Sequence, residues 1–360
     1  MTTPKPTALH VFSTFAVGGP QVRFASLAAH LGDGWRHLIV AMDGNMACRE
    51  RLAPGLDVSF PVIAHRKGAT VANARAFRAF LMAQRPDVLV TSNWGSIEWA
   101  MANFLPVVRH ILIEEGFGPE ERTRQIPRRV WTRRLLLRHA EVVVPSLTLR
   151  AIATEIWRVP HVRYLPNGID LARFSTTPHP VGSPPVIGTV AALRPEKNLS
   201  RLLRAFRLIA DESTVQLVIV GDGPLRTDLQ ALAGELGIAE RVRFAGHTDT
   251  VEMFYRDFDV FALSSDTEQM PLSVLEAMGS GLPVAATDVG DVRAMLVAEN
   301  SNFVVAPDDA ALAEAMRRLL ANPSRARAIG AANRAKAERD YDQEAMLTSY
   351  AALLAGEGSC

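Results

Sequence analysis

Two glutamates stand eight positions apart on either side of a proline, in a segment (264–283) that follows an apolar run typical of a buried strand. Proline is favoured where a helix begins, so we expect Glu268 in a loop, Pro271 in the first helical turn and Glu276 about two turns inside the helix. Free N–H groups at a helix start bind anions, and carboxylates accept hydrogen bonds from hydroxyls. The segment therefore suits a ligand with hydroxyls on both sides of a phosphate bridge. Solvated charges favoured by the helix dipole are the alternative.

A lysine follows another predicted strand, in the segment 188–198. Lys197 stands just before a predicted helix, where its ammonium group can meet a diphosphate. A positive charge is mildly unfavourable at a helix start, which weakens the interpretation as an ordinary surface residue. We therefore expect Lys197 at a phosphate site.

A pair of glycines, Gly18 and Gly19, links the first predicted strand to the first predicted helix. Glycines let the backbone approach a ligand closely. A plain turn is the alternative interpretation, because a lone Gly-Gly pair is common.

The segment 264–283 resembles the Glu-x7-Glu signature of retaining glycosyltransferases of family 4, which have the GT-B fold, and the resemblance extends along nearly the whole chain. It implies that Glu268 contacts the donor sugar, that Glu276 contacts the ribose hydroxyls, and that no metal ion or other cofactor is required. The donor-binding residues expected from the resemblance are Gly18, Gly19, Lys197, Glu268, Met270, Pro271, Leu272 and Glu276.

The sequence departs from the family pattern at two positions near these motifs. Gln269 stands where a glycine is common, and Ala192 stands where the family places a phosphate-binding arginine. Pro195 favours an extended Arg194, so we expect residues 192 and 194 to face the same side. Our hypothesis is that Arg194 replaces the missing arginine as a catalytic residue, together with Lys197 and Glu268.

The family histidine at the end of a first-domain strand is also absent. Glu115 takes its place, and we expect Glu114 or Glu115 at the site, with Glu115 as the catalytic candidate. His110 stands at the start of the same strand, where it is expected to be packed. The turns in 166–174 and 220–226 resemble family segments too, and at both we weigh a structural role equally with a functional one.

Seven arginines crowd the stretch from Arg122 to Arg138, next to Trp131. Such clusters attract anionic lipid. Because the arginines and apolar residues do not separate cleanly on a helical wheel, an anionic membrane surface and a solvated face remain equal alternatives.

The composition excludes several classes of protein. Of the 360 residues 48% are hydrophobic, and 39 basic and 38 acidic residues leave a net charge of +1, so no global field favours nucleic acid. Cys48 and Cys360 form no metal-binding pattern and are expected to be reduced. No signal peptide is recognised in 1–6, and no apolar run approaches about 18 residues. We expect a cytoplasmic protein, with peripheral contact at the inner face of a membrane left open.

Short β-branched runs alternate twice with helical patterns, which predicts two parallel sheets. The expected strands are 9–13, 37–42, 88–91, 107–113 and 142–144, then 186–191, 215–220, 242–244, 260–263, 284–286 and 303–305. The predicted fold class is α/β, with two Rossmann-like domains facing across a cleft (GT-B) and C-terminal helices. Expected boundaries are 1–174 for the acceptor domain, 175–185 for a linker, 186–340 for the donor domain, and 341–360 for a helix that packs back on the first domain.

The resemblance implies a retaining glycosyltransferase that moves a sugar from a nucleotide diphosphate-sugar to a glycan or lipid-linked acceptor in cell-surface polysaccharide synthesis. Two alternatives stay open. Sugar-nucleotide epimerases share the architecture but lack the Glu-x7-Glu helix. A catalytically silent sugar-nucleotide binder is conceivable because of Ala192 and the missing histidine.

Overall fold

The computed structural model describes residues 5–117, 121, 124–174, 176, 184–212 and 214–357. The chain divides into two compact units. The first unit is Met1–Pro166 with Met346–Cys360, and the second unit is Asn167–Ala345. Arg122, Cys360 and most of the expected linker 175–185 lie outside the described residues.

The first unit is built on a seven-stranded parallel sheet. Its strands are β1 (Thr7–Phe12), β2 (Arg36–Ala41), β3 (Asp57–Ser59), β4 (Val88–Ser92), β5 (Arg109–Ile113), β6 (Glu141–Val144) and β7 (Val162–Tyr164). They lie in the order β3-β2-β1-β4-β5-β6-β7. The helices around them are α1 (Gly19–Leu31), α2 (Thr70–Gln84), α3 (Ile97–Ala102), α4 (Pro127–Leu136) and α5 (Leu147–Ala151).

The second unit repeats this plan with six parallel strands. They are β8 (Val186–Val190), β9 (Gln216–Val220), β10 (Val242–Gly246), β11 (Val260–Leu263), β12 (Val284–Thr287) and β13 (Val304–Val305), in the order β10-β9-β8-β11-β12-β13. Its helices are α6 (Leu199–Ala210), α7 (Arg226–Glu235), α8 (Glu252–Tyr255), α9 (Leu272–Gly279), α10 (Val292–Met295), α11 (Asp309–Leu320) and α12 (Pro323–Asp340). The predicted α/β class with two parallel sheets is confirmed.

Two strands of the first sheet were not predicted. β3 and β7 are three residues long and lie at the two edges of the sheet, where their side chains are only partly buried. Edge strands of this kind lack the apolar run that marks a central parallel strand. The strand expected at 107–113 begins at Arg109.

Apolar residues cover both faces of the second sheet. Neighbours within one strand belong to opposite hydrophobic clusters: Ile187 packs with α6 and α11, whereas Val186 packs with α9. The buried residues of α6 recur at helical spacing, at Leu199, Leu202, Leu203, Phe206, Ile209 and Ala210. A parallel strand buried on both faces explains why the second set of strands could be located from apolar runs alone.

The last helix, α13 (Gln343–Ala355), belongs to the first unit from Met346 onward. Its buried residues, including Leu347 and Tyr350, join Ala8 and Val88 in one hydrophobic cluster. Arg109 of β5 donates hydrogen bonds to the Leu353 and Leu354 carbonyls and so satisfies acceptors at the helix end.

Three buried histidines lie in the sheet of the first unit. His110 is packed, as expected, and its Nε2 lies 2.8 Å from the Thr91 hydroxyl. His10 Nε2 lies 3.2 Å from His37 Nδ1. Burial lowers the pKa of His37 and of His110 to about 4, with Asp57 partly opposing the shift at His37. These imidazoles are therefore neutral in the folded protein at pH 7.

We predict that the first unit loses stability as the pH falls from about 6.5 to about 4. In this range histidines of the unfolded chain bind protons, whereas the buried histidines of the folded chain stay neutral. His110→Gln should reduce the slope of unfolding free energy against pH by up to about 1.4 kcal/mol per pH unit in that window. All five tryptophans lie in the first unit, so urea unfolding followed by tryptophan fluorescence reports on it. Equal slopes for variant and wild type would contradict the prediction.

Candidate functional site

The chain order of the second sheet reverses between β8 and β11, which pair in parallel. The loops that leave the carboxyl ends of β8, β11 and β12 therefore share one edge of the sheet. Crevices outside such a reversal are where open parallel sheets bind ligands. Lys197 stands in the first of these loops and Glu268 in the second.

Lys197 and Glu268, 71 residues apart in the sequence, form an ion pair at this edge. The Lys197 Nζ lies 2.6 Å from Glu268 Oε1, and the Ser265 hydroxyl donates to the same oxygen over 2.7 Å. The Ser264 hydroxyl donates to the Lys197 carbonyl over 3.0 Å, and the Asp266 N–H donates to the Glu196 carbonyl over 2.9 Å, so the backbones are joined as well. The glutamate side chain is only 10% exposed. The structure thus brings together two residues that the sequence placed in separate motifs.

The loop that carries Glu268 is held from its other side by the loop after β12. Gly290 has φ +53°, and a Cβ there would lie 2.4 Å from the Glu268 carbonyl oxygen. The Asp291 N–H donates to the Gln269 carbonyl over 2.9 Å. Sequence reasoning missed Gly290, although a glycine a few residues after a predicted strand is a signal for close backbone approach.

Met270 and Asn167 fasten the same loop to the start of the second unit. The Asn167 side-chain amide donates to the Met270 carbonyl over 3.3 Å, and its backbone N–H meets the Met270 sulfur at 3.2 Å. Gly168 passes so close to Asp342 that a Cβ would lie 2.8 Å from its carbonyl oxygen. The turn in 166–174 therefore has a structural role beside the loop.

Helix α9 begins directly after this loop. Pro271 is its N-cap residue and Leu272 its first helical residue, with no side-chain cap. The backbone N–H groups of Leu272 and Ser273 have no acceptor among the residues that the structure describes. Such groups, at the positive end of the helix dipole, are able to bind an anion.

Glu276 lies at the start of the second turn of α9, less deep than the two turns expected. Its Oε2 accepts a 2.8 Å hydrogen bond from the Tyr255 hydroxyl. Burial raises the pKa of Glu276, while the Tyr255 hydrogen bond and the Arg173 charge lower it and the Glu252 charge raises it. The carboxylate form therefore depends on its neighbours.

Arg194 lies beyond the end of β8 with an exposed side chain. Arg194 itself is extended, as expected from Pro195. The expected straight path from 192 to 194 is wrong, because the Arg194 N–H donates to the Ala192 carbonyl over 2.9 Å and makes a three-residue turn at the buried Leu193. A Cβ at Gly221 would lie 2.0 Å from the Ala191 carbonyl oxygen, so the turn in 220–226 packs against this loop and has a structural role.

Gly18 and Gly19 open helix α1 in the first unit. Gly18 is the N-cap residue in an extended conformation, and Gly19 is the first helical residue. The Gln21 side-chain amide donates to the Thr14 carbonyl over 2.9 Å, which ties the helix start back to the loop. The predicted strand, glycine loop and helix are all present here.

Glu115 follows β5 and forms a mostly buried ion pair with Arg23 of α1. The Asn93 side chain accepts a 2.7 Å hydrogen bond from the Glu115 N–H. Burial lowers the pKa of Arg23, but the charge and hydrogen bond of Glu115 outweigh burial and raise it. Glu115 is thus fixed beside Arg23 at the carboxyl edge of the first sheet.

Glu114 points into the interior beside Arg133, with its Oε2 3.7 Å from the guanidinium. Arg133 is also buried; it pairs with Glu121, and its guanidinium lies 4.4 Å from the centre of the Trp157 ring. Burial raises the pKa of Glu114 to about 7 although Arg133 opposes the shift. For Arg133 both expectations, membrane surface and solvated face, are therefore wrong.

Within the described ranges, no cluster of three or more His, Cys, Asp or Glu side chains is arranged to hold a metal ion. In the same part of the chain, none of the helices has the length and apolar character needed to span a membrane.

Comparison with known proteins identifies two family models. Residues 17–173 match "Glycosyltransferase Family 4", and residues 176–336 match "Glycosyl transferases group 1". The chain is 27% identical over 290 residues to the GDP-mannose-dependent alpha-(1-6)-phosphatidylinositol monomannoside mannosyltransferase of Mycobacterium tuberculosis, covering 75% of this chain and 70% of that one. It is 30% identical over 174 residues to the lipopolysaccharide core biosynthesis glycosyltransferase LpsE of Rhizobium meliloti, covering 48% and 50%.

Solved structures show the same fold. Sucrose-phosphate synthase from Thermosynechococcus elongatus superposes with a TM-score of 0.79 at 20% identity, covering 97% of this chain and 98% of that one. Anabaena HepE, solved with UDP and glucose, gives 0.80 at 19%, covering 98% and 100%. The fold is GT-B, and the two family models match almost all of the chain: it belongs to glycosyltransferase family 4 and is a glycosyltransferase.

Proposed function

We propose that the second unit binds a nucleotide diphosphate-sugar and that the enzyme transfers the sugar, with retention of its anomeric configuration, to a glycan or lipid-linked acceptor. The observation that carries this proposal is the contact of Lys197 Nζ with Glu268 Oε1 in the loop that leads into the uncapped start of α9. A cation, a carboxylate and free amide groups are thereby collected in neighbouring loops of one sheet edge. A diphosphate flanked by a sugar needs these groups.

In our proposal each of these groups binds a different part of the donor. An ammonium group has three donors, and Lys197 uses one on Glu268, so the others are available to diphosphate oxygens. Glu268 accepts from hydroxyls of the sugar, and Glu276 accepts from the ribose. Met270, Pro271 and Leu272 supply the backbone around the diphosphate.

The transfer step needs charge stabilisation on the leaving group. The acceptor oxygen bonds to the sugar C1, the bond from C1 to the diphosphate oxygen breaks on the same face, and the acceptor proton passes to the departing diphosphate. Lys197, Arg194 and the α9 amides offset the charge that develops there. We propose that these groups act without a metal ion, so that a chelator leaves the rate unchanged.

We assign the binding of the acceptor to the first unit. Glu115, paired with Arg23, takes the place of the family histidine and accepts from a substrate hydroxyl. Gly18 and Gly19 let the backbone at the start of α1 approach the ligand. The family membership favours this transferase over the epimerase and the silent binder.

Names of relatives guide the choice of substrates. The Mycobacterium tuberculosis relative is named as GDP-mannose-dependent and as acting on a phosphatidylinositol mannoside, and the Rhizobium meliloti relative is named for lipopolysaccharide core biosynthesis. We therefore propose GDP-mannose as the first donor to test, with a lipid-anchored acceptor that serves a cell-surface glycan.

We also propose that α4 contacts an anionic membrane surface at the inner face of the membrane. With Arg133 in the interior, the large hydrophobic residues exposed on α4 are Trp131 and Leu135, which are 66% and 54% exposed and lie one turn apart. The Arg134 guanidinium lies 4.9 Å from the centre of the Trp131 ring, and Arg128 is exposed nearby in sequence. Aromatic and basic side chains together suit the headgroup region.

The full chain should transfer labelled mannose from GDP-mannose to a phosphatidylinositol mannoside, with an α-linked product. Lys197→Ala and Arg194→Ala should each reduce kcat/KM by an amount equivalent to about 1.5 to 3 kcal/mol, because each loses a charge-assisted contact to the diphosphate. Steady-state kinetics over a panel of GDP- and UDP-sugars checks both points. Normal turnover by Arg194→Ala beside a crippled Lys197→Ala would make Arg194 a surface residue. Absence of transfer from every donor would overturn the proposed function.

Gly290→Ala should lower kcat/KM at least about tenfold, since its Cβ would push the Glu268 loop away from Lys197. Gly237→Ala is the matched control: Gly237 also has positive φ, at +68°, but nothing lies within 4 Å of its Cβ position. Both variants lose stability from backbone strain, which thermal melts measure. Similar activity losses in the two variants would show that the loop contact is irrelevant to function.

The double variant Trp131→Ala/Leu135→Ala should bind vesicles of phosphatidylglycerol and phosphatidylcholine several-fold more weakly than wild type in a sedimentation assay, because burial of their apolar surface is lost. Val62→Ala/Met82→Ala removes two other exposed apolar side chains of the first unit and should leave binding unchanged. Unaltered binding by the α4 variant would remove this helix from the membrane surface.

A further inference from the structure

A buried tyrosine holds one oxygen of Glu276. The Tyr255 hydroxyl lies 2.8 Å from Glu276 Oε2 and 3.0 Å from the Ser273 carbonyl oxygen. A phenol has one proton to donate, and a charged carboxylate is the stronger acceptor. The hydroxyl is therefore directed at Glu276 while that carboxyl is ionised.

The position of this hydroxyl is set by the hydrophobic core. Tyr255 is 1% exposed, and its ring packs against Phe174, Phe258 and Phe261 with centroid distances of 5.6 to 5.8 Å. A side chain fixed in this way has little freedom to follow a moving partner. The carboxylate of Glu276 is consequently oriented by a rigid donor.

The second oxygen of Glu276 remains for a ligand. Oε1 has no hydrogen-bond partner among the described residues. It is also absent from the fully buried polar atoms that lack a partner there, so it is not sealed in the interior. With Oε2 occupied by Tyr255, Oε1 is the oxygen left to accept a hydrogen bond from a ligand.

We propose that Tyr255 is a positioning residue for the donor. By holding Oε2 of Glu276 with its hydrogen bond, it leaves Oε1 placed to accept from the ribose hydroxyls. This inference rests on the ribose role of Glu276 in the proposed function. Tyr255 does not touch the donor and acts only through Glu276.

The charges around Glu276 make this role measurable. The titratable and charged groups that face it are Tyr255 and Glu252 of α8 and Arg173 of the turn before the second sheet. Burial and Glu252 raise the pKa of Glu276, whereas the Tyr255 hydrogen bond and Arg173 lower it. Removing the hydroxyl takes away a group that favours the carboxylate, so protonation would begin at a higher pH.

Tyr255→Phe keeps the ring and removes the hydroxyl. We expect KM for the donor to rise about three- to tenfold with kcat within about twofold, because a contact to the ribose is made equally in the ground and transition states. The acid limb of kcat/KM for the donor should move to higher pH. Tyr341→Phe, in the same hydrophobic cluster, should change neither quantity.

A double-mutant cycle separates positioning from general destabilisation. Glu276→Gln should raise the donor KM, and Tyr255→Phe should add little to it in the double variant, since the tyrosine acts through the carboxylate. Additive effects, or a Tyr255→Phe enzyme with unchanged donor KM and pH profile, would overturn the positioning role of Tyr255. The ribose role of Glu276 would still stand. If Glu276→Gln itself leaves the donor KM unchanged, the ribose assignment fails and the inference fails with it.

Discussion

The site depends on the parallel pairing of β8 with β11. This pairing places the loop after β8 beside the loop after β11, although Lys197 and Glu268 are 71 residues apart. Their ion pair is partly buried, so removing either charge leaves the other poorly solvated beside an apolar interior. The sheet order therefore fixes both the location of the site and the charge balance within it.

Contacts behind the site hold each of its parts in place. Ser265 and Gly290 act on the Glu268 loop, Asn167 acts on Met270, and Tyr255 acts on Glu276. Each comes from a different segment of the second unit, so the geometry of the loop is determined by several independent packing constraints. A site that develops charge during reaction benefits from such preorganisation, because its groups need not rearrange as the charge appears.

Much of this arrangement could be predicted from the sequence. Apolar runs located the central strands, and the Glu-x7-Glu spacing located the loop and helix around Pro271, because these signals are local. The supporting contacts could not be predicted, since Ser265, Gly290 and Tyr255 meet their partners only once the sheet order is known. The edge strands β3 and β7 were missed for a different reason: they are short and only half-buried.

The buried cluster in the first unit shows the same limit more sharply. A run of arginines predicts a solvated or lipid-facing surface, yet Arg133 is buried with Glu114 and Glu121 among aromatic rings. Composition could not reveal this, because Glu114 comes from the end of β5 and Trp157 from beyond α5. Removing Arg133 would leave Glu114 buried without a cation, whereas Glu121 would keep its 3.0 Å ion pair with Arg129.

Close packing of two loops fixes the chain just before Arg194. Gly221 and Gly223 pass so close to residues 191–193 that even a Cβ on either glycine would collide with that backbone. The chain is thereby clamped through the buried Leu193, and Arg194 is the first exposed position beyond the clamp. A guanidinium reaches several ångströms from its Cα, and this reach is the physical basis for proposing Arg194 as a phosphate contact. The tight packing of the two loops therefore fixes the point from which the Arg194 side chain starts, and the flexible side chain beyond that point is the only part free to adjust to a ligand.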